Sequence, residues 1–319
     1  MKLSIVIPLF NEEAVIAATH ARVLRLVREF LDHNLIGDYE IIFVDDGSRD
    51  NSLKILRTLA EESGKVKVLS FSRNFGHQPA LVAGLLHSSG EAVVSLDADL
   101  QDPPELIREM LEKYRGGNDI VYAVRKARQK DTFFKRMTAG CFYRLMRIMG
   151  ADIVYDHADY RLISRRVVEA FRSFREVNLF LRGIFPYLGF PDAIVYFERP
   201  EREAGETKYS LRRMMSFAWE GITSFSNVPL RIASFAGFSI STLSVCLIIW
   251  AFYSKYAGKT IPGWASTVIP LLLIGGLNIF FLGIIGEYIG KIYLEVKRRP
   301  RFIIKEKHNL GENMPSEDR

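Results

Sequence analysis

Two long stretches of the sequence carry no charged residue, at 232–253 and 264–285. A helix of this length is just sufficient to cross a hydrocarbon core about 30 Å thick. Trp250, Tyr253 and Trp264 lie near the ends of these stretches, where aromatic side chains of membrane proteins contact the headgroup region. The sequence therefore predicts two transmembrane helices, and a helical hairpin buried in a soluble core is the alternative.

The charges around these stretches predict how they are oriented. The loop between them holds two lysines, whereas Arg212, Arg213, Arg231 and the tail at 297–307 are much more basic. Positive residues favour the cytoplasmic side, so we expect a multi-pass protein of the cytoplasmic (inner) membrane with both termini in the cytoplasm. The net charge is +6, and its placement beside the apolar stretches favours an anionic membrane surface as partner over nucleic acid.

The segment 210–231 mixes basic and bulky apolar residues at helical spacing. This pattern predicts juxtamembrane amphipathic helices in the membrane interface or, alternatively, helices packed on the soluble domain. The predicted organisation is a cytoplasmic catalytic domain at 1–209, these helices, two spans within 232–293 and a basic cytoplasmic tail at 294–319. Close helix packing, and with it a homo-oligomer, is permitted by Gly275, Gly276 and Gly283. With only two cysteines, neither a disulfide framework nor a cysteine metal site is expected.

Apolar runs rich in valine and isoleucine alternate with amphipathic stretches in the first part of the chain. We predict strands over LSIVIPL, YEIIFVDD, VKVLSFS, AVVSLDAD and DIVYAVR. We predict helices between them over 12–31, 51–62, 78–87 and 103–114. This βαβ rhythm is typical of a doubly wound α/β fold with a mostly parallel sheet. The sequence has no G-x-G-x-x-G and no Walker-type glycine loop, which argues against dinucleotide oxidoreductases and P-loop NTPases.

Ligands of such sheets bind at the carboxyl ends of the strands, and polar residues are concentrated at these ends. Asp97 and Asp99, one residue apart, follow the fourth predicted strand. Their carboxylates can converge on one hard cation, with Gln101 as a neutral ligand. Such an ion would neutralise a departing diphosphate. An acidic pair also fits a solvated turn, so this motif alone does not decide the function.

The residues after this motif have a structural interpretation. We predict Asp102 as the N-cap of the next helix, Pro103 as its first residue and Glu105 as the acidic partner in a capping box. These three residues are therefore left out of the candidate site.

Several segments resemble a known family when they are taken in order. IVIPLFNEE, FVDDGSRDNS, SRNFGHQPAL and LDADLQDPPE resemble glycosyltransferase family 2, whose domain has the GT-A (Rossmann-like) fold. DHADYRLISRRVV and REAGETKYS resemble the polyprenyl-phosphate glycosyltransferases, among them dolichyl-phosphate mannose synthases and bactoprenol glucosyltransferases. The resemblance covers nearly the whole chain, and the two apolar stretches are similar to those of the bacterial branch. It implies a metal-dependent enzyme with a GT-A domain, interfacial helices and two C-terminal transmembrane helices.

The reaction implied by the resemblance is the transfer of a sugar from a nucleotide diphosphate donor to a polyprenyl phosphate, with inversion at the anomeric carbon. By analogy, the donor is UDP-glucose and the acceptor is undecaprenyl phosphate. GDP-mannose or a UDP-aminosugar is the alternative donor. A processive polysaccharide synthase would need more spans and a Q-x-x-R-W motif, which the sequence lacks. A non-catalytic membrane scaffold that binds nucleotide sugars is the alternative from another class.

The resemblance also implies roles for residues on the donor side. The nucleobase and ribose would contact Pro8, Phe10, Glu12, Val44 and Asp46. The diphosphate and a divalent ion, Mg²⁺ or Mn²⁺, would be held by Asp97, Ala98, Asp99 and Gln101. The donor phosphates would also meet Arg125, Arg202 and Lys208, with Gly205 allowing that loop to close. For Phe10 and Val44, a place in the hydrophobic core is the alternative.

On the acceptor side, the resemblance assigns the lipid phosphate to Arg136 and Arg161, a task that suits the planar guanidinium. A lipid-facing charge is the alternative for Arg136. Asp159 precedes Tyr160-Arg161, where bacterial relatives often carry an acid, and it joins Asp97 and Asp99 as a candidate catalytic residue. A phosphate monoester is already anionic near neutral pH, so Asp159 is interpreted as an acceptor-site residue first and a base second.

Overall fold

The computed structural model describes residues 1–99, 101–125, 157–177, 180–197, 223, 226–257 and 265–310. These residues fall into two compact units. The first unit holds the described residues up to 197 together with 298–310, and the second holds those from 223 to 297.

Within the described part of the first unit, eight strands form one mixed sheet in the order β7-β5-β6-β4-β1-β2-β3-β8. The strands are β1 (Lys2–Leu9), β2 (Asp38–Asp45), β3 (Val66–Phe71), β4 (Ala92–Ser95), β5 (Ile120–Arg125), β6 (His157–Ser164), β7 (Asp192–Phe197) and β8 (Ile304–His308). Only β6 and β8 run against the others. The predicted mostly parallel α/β sheet and its first five strands are confirmed. The sequence patterns did not predict β6, β7 and β8.

The first four helices of this unit lie close to their predicted positions, whereas α5 and α6 were not predicted. They are α1 (Ile16–Asp32), α2 (Ser52–Glu62), α3 (His77–His87), α4 (Ile107–Arg115), α5 (Arg165–Arg172) and α6 (Leu181–Tyr187). In α1, apolar residues at helical spacing, such as Val23, Val27 and Phe30, are fully buried. Helix α3 comes so close to β1 that a methyl group at Gly84 would lie 2.2 Å from Cγ1 of Val6. A side chain at Gly84 would therefore push α3 away from the sheet.

The predicted capping arrangement before α4 is wrong. The chain enters α4 through a short 3₁₀ helix, Pro104–Leu106, whose N-cap is Pro103, a residue that makes no side-chain cap hydrogen bond. Because a residue that precedes a proline is pushed out of the helical region, Pro103 is extended (ψ 119°) rather than the first helical residue. Glu105 closes no capping box, since its carboxylate binds the Arg22 guanidinium at 2.8 and 2.9 Å. Asp102 is buried.

The segment predicted as a basic tail contains the last strand of the sheet. Strand β8 pairs antiparallel with β3, and the Glu306 carboxylate makes hydrogen bonds of 2.7–3.2 Å with the Arg57 guanidinium of α2. The Asn309 amide donates to the carbonyl oxygens of Ala60 (2.6 Å) and Val66 (2.9 Å). This strand was not predicted because its sequence, IKEKH, is mostly charged, with exposed lysines alternating with half-buried residues.

The second unit contains two uninterrupted helices, α7 (Val228–Tyr256) and α8 (Ala265–Lys297), of 29 and 33 residues. Large apolar side chains on them are exposed, with Phe235 at 75% and Ile279 at 73%. Among the described residues, one stretch, Leu273–Lys297, is long and apolar enough to cross a membrane by length and composition. It overlaps the second predicted span.

A buried carboxylate ties together the amino ends of the central strands, opposite the candidate site. The Glu40 side chain is 1% exposed. It accepts hydrogen bonds from Ser4 Oγ (2.6 Å), from the backbone N–H of Ser89 (2.6 Å) and from Lys67 Nζ (2.6 Å). Burial alone would raise the pKa of Glu40, but the hydrogen bonds from Lys67, Ser4 and Ser89 outweigh it and lower the pKa to about 2.

We expect Glu40→Gln to destabilise the protein near neutral pH by about 3 kcal/mol, because this lowered pKa represents free energy that only the ionised form contributes. In the wild-type protein that contribution is complete above the unfolded pKa of 4.5 and is lost as the pH falls from 4.5 towards 2. The measurement is the thermal unfolding midpoint of the detergent-purified protein against pH. Glu105→Gln is the matched control, since the Arg22–Glu105 pair is exposed and is worth at most about 1 kcal/mol. Equal midpoints for the two variants at pH 7 would contradict this role of Glu40.

Candidate active site at the carboxyl ends of the strands

A cavity of about 430 Å³ lies at the carboxyl ends of β1, β2 and β4. Parallel strands bring these ends to one edge of the sheet. The lining residues are Pro8, Leu9, Phe10, Glu12, Asp46, Asn74, Gly76, His77, Ala80, Asp97, Ala98 and Asp99. Seven of them were predicted for the site, namely Pro8, Phe10, Glu12, Asp46, Asp97, Ala98 and Asp99. The fold therefore brings together most of the predicted donor-side residues whose side chains it describes.

Asp46 holds one wall of this cavity in place. Its two carboxylate oxygens accept the backbone N–H groups of Phe75 (2.6 Å) and Gly76 (2.9 Å). Burial raises the pKa of Asp46 in spite of these hydrogen bonds. Next to it, Gly47 has φ +70°, and a Cβ there would lie 2.4 Å from the carbonyl carbon of Arg73. Only glycine fits this approach, so the loop after β2 and the loop after β3 form one packed unit.

Val44 does not line the cavity. Its side chain is fully buried, and a methyl group at Gly84 of α3 would lie 3.1 Å from Val44 Cγ2. This position matches the core alternative rather than a contact with the nucleobase. Phe10, in contrast, is 39% exposed and borders the cavity.

The cavity carries an excess of negative charge around Asp97 and Asp99. Burial, together with the charges of Asp159, Asp102 and Asp99, raises the pKa of Asp97, and His77 opposes this shift. Burial and the Asp99 charge also raise the pKa of Glu12. A bound cation would relieve this repulsion between carboxylates.

The chemistry of these side chains suits Mg²⁺ or Mn²⁺, which prefer oxygen ligands. Asp99 Oδ1 also accepts the backbone N–H of Gln101 (3.1 Å), which keeps Gln101 close to the acidic pair. Among the described residues, no group of three or more His, Cys, Asp or Glu side chains is arranged to hold a metal ion.

Asp159 is the centre of an ion-pair cluster beside the acidic pair. Its Oδ1 accepts Arg161 Nη2 (2.7 Å) and Arg182 Nε (3.3 Å). His77 Nε2 lies 3.8 Å from Asp159 Oδ2 and 3.7 Å from Asp97 Oδ1. Burial would raise the pKa of Asp159, but Arg161, Arg182 and His77 outweigh it and hold the pKa well below its usual value. A carboxylate with a lowered pKa is a weak proton acceptor, so the ion pairs with Arg161 and Arg182 argue against a role of Asp159 as a base.

Arg161 does not reach the surface of the site. Its side chain is 1% exposed, its Nη1 donates to the carbonyl oxygen of Leu181 (3.4 Å), and its guanidinium lies 4.7 Å above the Phe185 ring. The predicted grip of Arg161 on an acceptor phosphate does not fit this burial. Its observed contact is with Asp159, which it holds in place.

Sequence reasoning missed two residues of this cluster. His77 is the first residue of α3 and is 43% exposed. Arg182, in α6, is 30% exposed and lies beside Asp159. A signal existed for Arg182, because a lone arginine interrupts the apolar run FLRGIF. His77 lies inside the SRNFGHQPAL segment, where its imidazole had no predicted partner.

Some predicted residues cannot be placed. Arg125 ends β5, and only its backbone is described. Four further residues lie outside the described residues, namely Arg136, Arg202, Gly205 and Lys208. Their roles stay predictions, as does the amphipathic character of 210–231, most of which also lies outside the described part of the chain.

Comparisons with known proteins identify the family of the chain. Residues 4–172 match the family model described as Glycosyl transferase family 2. An "Uncharacterized glycosyltransferase YkoT" of Bacillus subtilis is 47% identical over 95% of this chain and 90% of its own. A "SfII prophage-derived bactoprenol glucosyl transferase" of Shigella flexneri is 41% identical over 97% of this chain and 99% of its own.

Among solved structures, mannosyl-3-phosphoglycerate synthase from Rubrobacter xylanophilus is similar, with a TM-score of 0.49 and 17% identity over 69% of this chain and 71% of that one. The family match and the relatives cover most or nearly all of the chain. They confirm the predicted resemblance and the prediction of an enzyme. The chain belongs to glycosyltransferase family 2.

Proposed function

We propose that the protein transfers glucose from UDP-glucose to undecaprenyl phosphate, with inversion at the anomeric carbon. The observation that carries the proposal is that an arginine cluster centred on Asp159 lies beside the acidic pair of the cavity. His77 Nε2 lies within 3.8 Å of both Asp97 and Asp159, so the acidic pair and the arginine cluster are neighbours. Relatives named bactoprenol glucosyl transferase, 41% identical over nearly their full length, support this substrate pair.

The acidic side of the cavity is assigned to the donor. Pro8, Phe10 and Asp46 border the space for the nucleoside. A divalent ion held by Asp97, Asp99 and Gln101 would stabilise the charge that develops on the leaving diphosphate. From the resemblance, Arg125, Arg202 and Lys208 are assigned to the donor phosphates as well.

The arginine side is assigned to the acceptor. An oxygen of the lipid phosphate attacks the anomeric carbon, and the bond between that carbon and the nucleoside diphosphate breaks on the opposite face. A phosphate monoester has its second pKa at about 6, so the nucleophile needs no base, in agreement with the lowered pKa of Asp159. We assign the phosphate contact to Arg182, with Arg136 retained from the resemblance. The buried Arg161 orients Asp159 through their ion pair, and Asp159 in turn orients Arg182.

We further propose that the protein is held in the cytoplasmic membrane by two spans, 232–253 and 264–285, with its catalytic domain and both termini in the cytoplasm. The lengths of α7 and α8 and the apolar stretch Leu273–Lys297 support this arrangement. The spans would keep the catalytic domain at the membrane surface, where the phosphate of a polyprenyl carrier lies. Close packing at Gly275 and Gly276 would allow a homo-oligomer.

Cysteine labelling tests this topology. In a variant without the two native cysteines, we expect Lys259→Cys to react with an impermeant maleimide added to intact cells. Asn309→Cys should react only after the cells are opened, since residue 309 follows β8 of the catalytic domain. The reverse pattern would place the catalytic domain outside the cell and would overturn the proposed location.

Nucleotide release tests the proposed reaction. Purified protein with Mg²⁺ or Mn²⁺ is expected to release UDP from UDP-glucose when undecaprenyl phosphate is added, and radiolabelled glucose should move into the lipid fraction. GDP-mannose and UDP-aminosugars in parallel reactions identify the preferred donor. Binding of UDP-glucose without any lipid-dependent release would instead support a non-catalytic scaffold.

A further inference from the structure

We propose that Arg301 and Phe302, which follow the last membrane-associated helix in sequence, are positioning residues that brace both walls of the candidate site. The inference rests on the proposed function and adds residues to it that lie far from the predicted motifs. Helix α8 ends at Lys297, and Arg298 adopts a left-handed conformation (φ 48°). Residues 301–310 then run along the first unit, ending in β8.

Phe302 supports the donor wall through a chain of aromatic contacts. Its ring stacks on Phe71, with centroids 5.0 Å apart and planes at 7°. The Phe71 ring meets Phe75 edge-on at 5.7 Å. The backbone N–H of Phe75 donates to Asp46 at 2.6 Å, and Asp46 lines the cavity.

The backbone around Phe302 strengthens the same connection. The Ser72 N–H donates to the carbonyl oxygen of Ile303 (2.9 Å), so the loop that leaves β3 is hydrogen-bonded to the C-terminal segment. The Arg73 guanidinium also lies 4.0 Å from the centre of the Phe75 ring. Phe75 therefore contacts both Phe71 and Arg73, and loss of the Phe302 ring would loosen the support that Phe71 gives it.

Arg301 supports the acceptor wall by a second route. Its guanidinium donates to the carbonyl oxygens of Glu176 (2.9 Å) and Phe174. Phe174 stacks on Phe171 of α5, and Phe171 stacks on Phe185 at 5.6 Å. Phe185 lies beneath the Arg161 guanidinium (4.7 Å), which binds Asp159 at 2.7 Å.

Two adjacent residues are thus connected to the two walls by separate chains of contacts, and each wall carries a different substrate in the proposed reaction. A brace that only stabilised the fold would lower the unfolding temperature without separating donor from acceptor handling. A positioning role predicts that the two side chains affect different kinetic constants. Phe302 should act on the nucleotide, and Arg301 should act on the lipid phosphate.

The test uses the full-length protein in detergent, with UDP as the binding probe and UDP-glucose and undecaprenyl phosphate as substrates. Phe302→Ala is expected to weaken UDP binding and raise the donor KM about three- to tenfold, with the acceptor KM unchanged, because an aromatic contact is lost. Phe302→Tyr keeps the stacked ring and should restore the wild-type value. Arg301→Ala should raise the acceptor KM by a similar factor and leave UDP binding unchanged.

Ile303→Ala is the matched control, since Ile303 is adjacent and its side chain is 53% exposed. Unchanged KM values in Phe302→Ala and Arg301→Ala, with only a lower unfolding midpoint, would show a purely structural brace and overturn the inference. Failure of the proposed function gives a different result, because the wild-type protein would then bind no UDP or transfer no sugar.

Discussion

Asp99→Ala is expected to lower kcat for sugar transfer by about 10²- to 10³-fold. Asp99 is exposed, so the substitution removes the proposed cation ligand without opening the core. Asp97→Ala should have an effect at least as large, because Asp97 is less exposed and lies among the charges of Asp99, Asp102 and Asp159. The physical reason is the same for both, since the leaving diphosphate loses stabilisation of its developing charge.

The measurement is kcat as a function of Mg²⁺ and Mn²⁺ concentration. EDTA should abolish wild-type turnover, and either ion should restore it. Asp32→Ala is the matched control, because Asp32 is an exposed carboxylate at the end of α1 away from the cavity. Full turnover of Asp99→Ala in EDTA would rule out the metal role of the acidic pair.

Arg161→Ala and Arg182→Ala are expected to fail in different ways, although both arginines bind Asp159. Arg161 is buried against Asp159 and Phe185, so its loss leaves a buried carboxylate with less compensation and costs about 3–5 kcal/mol of stability. Arg182 is 30% exposed, so its loss should change the unfolding temperature little. It should instead raise the KM for undecaprenyl phosphate by roughly ten- to a hundredfold, the effect of one charge-assisted contact.

Thermal unfolding and steady-state kinetics on the same preparations separate the two effects. Arg182→Lys should recover only part of the lipid affinity, because an ammonium lacks the planar fork of the guanidinium. Arg161→Lys keeps the buried charge and serves as the milder variant where Arg161→Ala cannot be purified. A normal unfolding midpoint with a raised acceptor KM in an Arg161 variant would restore the direct phosphate contact first predicted for it.

The central part of the fold follows directly from local sequence patterns. Strands β1 to β5 are runs of branched apolar residues, and helix α1 carries its buried residues at helical spacing, so each element is marked by its own sequence. The edge strand β7 differs because its last four residues are large and apolar or aromatic on both sides of the sheet, so no alternation of polar and apolar residues marks it. In β7, Ile194 and Tyr196 are exposed while Val195 and Phe197 are buried, a pattern too short to stand out.

The candidate site divides in the same way. Asp97 and Asp99 could be predicted because they follow a recognisable strand and carry ligand chemistry of their own. Arg161 could be identified from its motif, but the motif does not show whether its guanidinium is exposed or buried. The burial of Arg161 depends on Phe185 and Leu181, which are distant from it in sequence and contact its guanidinium. His77 and Arg182 gain their meaning only from neighbours on other elements.

The contribution of β8 to the sheet has a consequence for biosynthesis. The ribosome releases residues 304–308 after both long helices have been made, so β3 stays an open edge throughout most of translation. Exposed edges pair readily with other chains, and the exposed period includes the synthesis of α7 and α8. Completion of the described sheet therefore waits until residues 304–308 have been made. A chain that stops before residue 301 lacks both the closing strand and the proposed brace of Arg301 and Phe302, so the first unit is completed only after α8 has been made.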